Sequence, residues 1–306
     1  MNVGINGAKR DISDLKVGVS GAVRAVSEAY IGVAGATKKV WPSFPAPGKA
    51  LDNYTWDEIS QISSANLGES YFSVGDRKQI TLNGTVGALT FNNYHTYAFI
   101  IGFDHNAELE GDHRIHFQLA KTALSGGTDI CFTDSSYSSS GSSAAFRMNT
   151  SNTNSGGWED SYMRNSICGT SKTSTSGRFM GAIPAALRNA LKSVTKYTDN
   201  TGNASTSSSA VTATTDYIFL LSEYEVFGSC FIANSNEASR QQQYAYYSAG
   251  NSKVKYRHTS TSSAARWWLR SARRGNPYGF ALVHTSGDVS VSNAYYSLGV
   301  APCFCV

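Results

Sequence analysis

This chain of 306 residues is poor in charge. Asp, Glu, Lys and Arg together make up 16% of it, against roughly a quarter in ordinary globular domains. The net charge of +4 comes without any dense Lys/Arg run, and Arg273-Arg274 is a lone pair. Nucleic acid is therefore not an expected partner, because it demands a concentrated basic footprint. No stretch approaches the roughly 20 apolar residues of a membrane-spanning helix, so membrane insertion is not expected. The segment "MNVGINGAKRDISDLK" lacks an apolar signal core, which argues against Sec-type export. Cysteines are few, scattered and odd in number: Cys131, Cys168, Cys230, Cys303 and Cys305. That pattern argues against a disulfide framework and fits folding in a reducing cytosol.

Motifs that carry chemistry are missing as well. There is no P-loop, no GxGxxG after a strand and no GxSxG nucleophile elbow. His113 and His116 fall in "HRIHF", which reads as a strand, where positions i and i+3 face opposite ways and cannot share a metal. Cys303 and Cys305 would share one strand face, but no matching Cys/His pair accompanies them, so packing is the expectation. No Asp/Asn-rich loop of calcium-ligand type stands out. The sequence is thus read as that of a protein that is not an enzyme, with no cofactor and no metal.

In place of charge the chain carries Ser, Thr, Asn, 28 Gly and 17 Tyr, with 41% hydrophobic residues. Tyr with Ser, Gly and Asn is the palette of adaptable contact surfaces. It is equally that of a β-rich protein with neutral loops. The first forty residues hold a fourteen-residue repeat: "VGINGAKR" from Val3, "VGVSGAVR" from Val17 and "IGVAGATK" from Ile31. The Asn6-Gly7 and Ser20-Gly21 steps suit two-residue hairpin turns, which need positive φ. Each unit reads as a short hairpin with a thin apolar face, too small to stand alone. A partner is implied, either further copies of the chain or another protein. Three of the six prolines then crowd into "WPSFPAPGK", a stiff linker. The organisation read from the sequence is a β-hairpin attachment module at 1–41, a Pro-rich linker at 42–49 and a main domain at 50–306.

The main domain reads as α+β. Thr55 and Glu58 form a capping box before a short helix whose apolar face is Trp56, Ile59 and Ile62, with Gly68 as its stop. "YHTYAFIIGFDHN", "RIHFQLAKTAL" and "DYIFLLS" read as strands. "GGWEDSYMRNSIC" and "IPAALRNALKSV" read as helices, the second with Pro184 in its first turn. Ser222 and Glu225 form another capping box. The Ser/Thr-rich stretches 134–143 and 199–215 read as exposed loops.

At "WWLRS" and "GVAPCFCV" the chain resembles a known family. These are the phage and bacterial surface-associated domains with a WLRSP-type motif and a GVRP-type final strand. The landmarks "WDEISQI", "FSVGDRKQITL", "AFIIGFDHN", "GGWEDSYMRNSI", "IPAALRNALKSVTK" and "IFLLSEYEVFG" follow in order through residues 50–306. Ala301 departs from the pattern, standing where Arg is more usual, so a structural salt bridge would be lost or rearranged. The resemblance implies a C-type lectin-like fold, and the repeats resemble N-terminal segments of phage tail proteins. The tail further resembles variable proteins of diversity-generating retroelements. There, mutation at template adenines in AAY codons never yields Trp, Gln, Lys, Glu or Met, and from Gly275 to Leu298 none of the five occurs.

The implied function is that of a phage tail-tip or fibre protein. It would be made in the host cytoplasm and carried on the virion, binding a host-surface protein or glycan through its C-terminal face. Residues 1–41 would join it to other tail proteins, and a homo-oligomer is expected, a trimer before other copy numbers. A bacterial surface lectin or adhesin is the alternative, with an enzyme of the formylglycine-generating type of fold below it. In "GFALVHT" a period of two sends Leu282 and His284 to one side, taken as exposed, and Ala281, Val283 and Thr285 to the other. Asn276, Tyr278, Ser290, Ser292, Tyr295, Tyr296 and Leu298 complete the expected binding patch. Trp267 and Trp268 are assigned to the core, with Leu269 and Arg270 as scaffold.

Overall fold

The computed structural model describes residues 2–5, 8–11, 16–26, 29–33, 36–41, 44–141 and 145–306. The chain divides into two compact units, 1–48 and 49–306. The division falls inside the Pro-rich stretch. The Asn6-Gly7 step and Pro42 lie outside the described residues.

The first unit holds three antiparallel hairpins: β1 (Asn2–Ile5) with β2 (Ala8–Asp11), β3 (Lys16–Val19) with β4 (Ala22–Ala25), and β5 (Ala29–Val33) with β6 (Ala36–Trp41). In the middle hairpin Ser20 and Gly21 have φ of 52° and 80°. This is the double positive-φ turn that matches the twist of the flanking strands. Val17, Val19 and Val23 remain exposed.

The second unit is α+β, with several small helices packed around mainly antiparallel sheets. Its main sheet contains β7 (Arg77–Val86), β8 (Leu89–Phe103) and β9 (Ile115–Lys121). After them come β10 (Ile130–Cys131), the antiparallel ribbon β11 (Val194–Asp199) and β12 (Val211–Asp216), and β13 (Ile218–Phe219). β14 (Lys255–Arg257) and β15 (Ser260–Ala265) join β10 in a small three-stranded sheet. β16 (Trp267–Ala272), β17 (Gly279–Val283) and β18 (Val289–Asn293) form another, and β19 (Cys303–Cys305) ends the chain. The five-stranded order is β13-β19-β9-β8-β7, so the last strand inserts between β13 and β9. All seven residues of β9 are buried, as expected of a central strand covered on both faces.

The capping boxes form as the sequence implies. Thr55 Oγ1 accepts from the Glu58 N–H while Glu58 accepts from the Thr55 N–H, and the helix runs Trp56–Ser64 with Trp56, Ile59 and Ile62 buried. It ends before Asn66, whose φ is 57°. Gly68 is therefore not its stop but opens the next short helix, Gly68–Tyr71. A Cβ at Gly68 would lie 2.8 Å from the Phe103 ring, so close packing selects glycine there. The "IPAALRNALKSV" helix is confined to Ala185–Ala190, with Pro184 as the residue before it. "GGWEDSYMRNSIC" yields turns and a π-helical segment, Met163–Cys168. "DYIFLLS" is largely buried but is not one strand: Asp216 ends β12, and only Ile218 and Phe219 form β13. The stretch 199–215 is not simply a loop, because β12 begins at Val211 and Asp199 is buried.

The abundant tyrosines are divided between core and surface. Tyr54, Tyr244, Tyr246 and Tyr247 are buried, whereas Tyr30 and Tyr278 are among the exposed large side chains. Trp267 and Trp268 are both fully buried. Successive strand residues face opposite ways, so both faces of β16 are covered.

That coverage corrects the expectation for Leu282, which is fully buried. β17 is the middle strand of its sheet, with Leu282 opposite Trp268 on one side and Ser290 on the other. All five residues of β17 are buried. Its continuous apolar run is the mark of two-sided burial rather than of one open face. Leu298 is likewise fully buried, its N–H donating to the Phe146 carbonyl. Leu282→Ala should lower stability by about 2–5 kcal/mol, measured by urea unfolding. A change within about 0.5 kcal/mol, typical of a surface position, would contradict this placement.

Candidate functional site

The hairpin β17–β18 carries the remaining predicted residues, and the structure divides them between its two ends. His284 is exposed in the connecting turn. Its N–H donates to the Asp288 carbonyl, and its ring Nδ1 lies 3.1 Å from Ser286 Oγ. The other end holds Asn276, Tyr278, Tyr295 and Tyr296. At about 3.3 Å per residue the two ends lie some 15–20 Å apart, so His284 does not share a patch with the tyrosines. Ser290 and Ser292 sit half-buried on β18, opposite Leu282 and Phe280.

The tyrosine end is firmly built. Asn276 Oδ1 accepts from the Tyr278 N–H at 2.9 Å, a local turn that leaves the Tyr278 side chain 50% exposed. The Tyr278 carbonyl accepts from the Ala294 N–H at 2.8 Å, which ties Tyr278 to the segment leading into Tyr295. The Tyr295 and Tyr296 rings meet edge to face, 5.1 Å apart at 68°, and both are half-buried. The next loop is fastened to the same place. Fully buried Asn154 donates through Nδ2 to the carbonyls of Arg273, Asn276 and Gly279, and the Asn149 N–H donates to the Ala294 carbonyl.

Beside these fastenings lies an open cleft of about 370 Å³, with Asn149, Thr150, Ser151, Asp160, Tyr162 and Asn165 among its lining. Hydroxyl, amide and carboxylate groups with one aromatic ring can bind a polar ligand by directed hydrogen bonds. The only signal in the sequence for this loop is the polar run "NTSNTNS", Asn149–Ser155, which is common in plain surface loops.

Behind the hairpin the core contains a buried ionic network that no sequence motif signals. Arg270 is fully buried and grips both oxygens of Glu225, with Nη2 to Oε1 at 2.9 Å. Its Nε donates to Thr198 Oγ1 at 2.7 Å. Lys196, also fully buried, donates to Glu225 at 2.9 Å, Glu110 at 2.5 Å and the Tyr244 hydroxyl at 2.8 Å. His105 stacks on Tyr244 with ring centroids 3.6 Å apart. His105, Glu110 and Glu225 offer ligand atoms within 4.8 Å of one another, as a metal site would. However, the Lys196 ammonium already bridges both carboxylates. The cluster is thus held as an ion-pair network, while His105 Nε2 and Glu110 Oε1 stay buried without hydrogen-bond partners.

Charge states in the core follow from this packing. Burial drives the His105 imidazole down to about 3 and His116 well below its usual value, with the Lys196 charge adding to both. Burial would raise Glu225, but Arg270 and Lys196 outweigh it and hold the carboxyl below its ordinary range. Burial lifts Glu110 and Glu237 to about 7. The histidines bind protons when the chain unfolds below about pH 6.5, so they erode stability as pH falls. Glu110 and Glu237 work the other way between about 4.5 and 7, being protonated in the fold and ionised when unfolded. Stability should therefore peak near pH 6. It should fall gently toward 4.5 and steeply below that, where the histidines act unopposed and Glu225 adds to the loss. Denaturation midpoints from pH 4 to 8 measure this, and a flat profile below pH 5 would contradict it.

A family model for a domain of unknown function, DUF6273, matches residues 136–306. The chain belongs to the DUF6273 family. No curated protein and no solved structure matches it. The DUF6273 stretch contains the tyrosine end, the 149–166 cleft, Arg270 and Glu225. Its boundary is not a structural one, because β19 of the DUF6273 stretch pairs with β9 before it, Phe304 lying opposite Phe117. The segment 49–135 therefore completes the core on which the DUF6273 surface is mounted.

Proposed function

We propose that this protein is a phage tail-tip or fibre component that binds a host-surface protein or glycan through the tyrosine end of its C-terminal hairpin. The observation that carries this reading is the set Asn276, Tyr278, Tyr295 and Tyr296, grouped on one end of a hairpin whose first strand, β17, is wholly buried. Tyrosines bring large, rigid, amphipathic area at low entropic cost, and here they are held by backbone bonds rather than on a loose loop. The α+β second unit is read more finely as C-type lectin-like, in line with the resemblance at "WWLRS" and "GVAPCFCV". The three N-terminal hairpins, with Val17, Val19 and Val23 exposed, suit attachment to other tail proteins in a homo-oligomer, for which a trimer is proposed. Many copies would raise weak single-site binding through avidity.

The four core thiols suit packing rather than thiol chemistry. Cys131, Cys168, Cys303 and Cys305 are fully buried, and burial pushes Cys131 and Cys305 up to about 12. Membership among the retroelement variable proteins fits the pattern of exposure. The residues of 275–298 that reach solvent include Asn276, Tyr278, His284, Asp288 and Asn293, while Phe280 to Val283 are buried. The test is sedimentation of the full chain with envelope fractions of the host bacterium. Saturable co-sedimentation, competed by excess unlabelled chain, is expected; its absence would overturn the reading. The gene offers a second test. A neighbouring near-copy of this segment should differ from it only at template adenines, and other mismatches would exclude diversification.

A further inference from the structure

A second cleft, of about 400 Å³, opens where the 133–137 loop meets the end of β14. Thr133, Asp134, Ser135, Tyr137, Arg257 and Thr259 are among its lining. Arg270 pairs with Glu225 and Arg164 with Asp216, but among the described residues no carboxylate pairs with Arg257. Its guanidinium lies 4.1 Å from the Tyr137 ring centroid, and its Nε is shielded from solvent without a hydrogen-bond partner. A guanidinium fixed over an aromatic ring, with donors unused, is ready to receive an anion.

The neighbouring groups decide which anion. Asp134 is saturated: Oδ2 accepts from the Ala145 and Phe146 N–H groups at 2.9 Å, and Oδ1 accepts from the Ser136 N–H and the Ser297 hydroxyl. Its oxygens are thus not spent on Arg257, and its negative charge disfavours a dianion in the same cleft more than a monoanion. His258 is joined to the lining residue Thr133, its Nδ1 accepting from the Thr133 N–H. Burial brings it down to about 4, so it adds no charge near neutrality. One fixed cation beside one saturated carboxylate suits a monoanion over phosphate. The fork of the guanidinium matches a carboxylate. Ser135 and Thr259 are exposed and offer hydroxyls at the rim, which suits a ligand that carries hydroxyls of its own.

We propose that this cleft is a carboxylate-binding subsite for an acidic sugar, with Arg257 as the recognising cation. The proposal rests on the reading of the chain as a surface-ligand binder and narrows its ligand to acidic glycans. It is tested without host material, by saturation-transfer NMR of the full chain with free glucuronate, glucose and inorganic phosphate. Glucuronate should receive saturation at millimolar concentration. Glucose should bind about tenfold more weakly or worse, the loss of one charge-assisted pair. Phosphate should not displace glucuronate at equal concentration. Arg257→Gln should cost about tenfold or more, and Arg257→Lys, which keeps the charge but not the fork, should fall between. Melting curves establish that each variant is folded, and if Arg257→Gln is not, Arg257→Lys and the phosphate competition decide. No glucuronate binding, binding indifferent to Arg257, or displacement by phosphate would each overturn the proposal. Those outcomes would leave envelope binding through the tyrosine end untouched, so the two readings fail separately.

Discussion

Arg270→Ala should lower the unfolding free energy by about 3–5 kcal/mol at neutral pH, the usual cost of removing one partner from a buried ionic network. Arg270 has no solvent to fall back on, and its bonds run to Glu225, Thr198 and the Leu220 carbonyl. Without it Glu110 and Glu225 share Lys196 alone, and one carboxylate is in excess. The excess charge must take up a proton, so the folded-state carboxyl rises above its unfolded value. The stability it contributes is then present at low pH and lost as pH rises. The defect should accordingly be larger at pH 8 than at pH 5. Arg270→Lys should fall between, retaining charge without the two-pronged grip. Chemical denaturation at the two pH values measures both effects. A loss under 1 kcal/mol, or one independent of pH, would contradict the account of the core.

The parts of this architecture that rest on local chemistry were legible in the sequence. Both capping boxes are contacts between residues three apart, and both form. The Ser20-Gly21 turn follows from the φ it demands. Trp267, Trp268 and Arg270 are buried scaffold, as read. The ionic network was not legible, because Lys196 meets Glu225 across 29 residues and Glu110 across 86. Glu225 had besides a sufficient local explanation in its capping box with Ser222, so nothing signalled its second role.

Leu282 was misplaced because a period of two assumes one open face, whereas an interior strand has none. Leu298, a member of the expected patch, belongs to the core. Composition revealed that tyrosine is abundant but not which rings are buried. His284 and Tyr278 were grouped by sequence proximity, and the intervening strand holds them apart. Ala301, taken to signal a lost salt bridge, is buried in the core. The buried Arg–Glu pair lies elsewhere, at Arg270 and Glu225.

The second large effect concerns the tyrosine end. Anchoring aromatic residues at interfaces cost 2 kcal/mol or more when truncated, which is about 30-fold in affinity. Tyr295→Ala with Tyr296→Ala removes both rings of the edge-to-face pair. Tyr296 also packs against the core, so the double variant must first be shown by melting to remain folded. His284→Ala, at the far end of the hairpin, supplies the matched control and should change affinity little.

The central claim is tested most directly by the apparent affinity of full chain for host envelope fractions, measured side by side for wild type, His284→Ala and the double tyrosine variant. The account predicts a loss of about 30-fold or more for the double variant and near-wild-type binding for His284→Ala. A folded double variant that binds as tightly as wild type would contradict it.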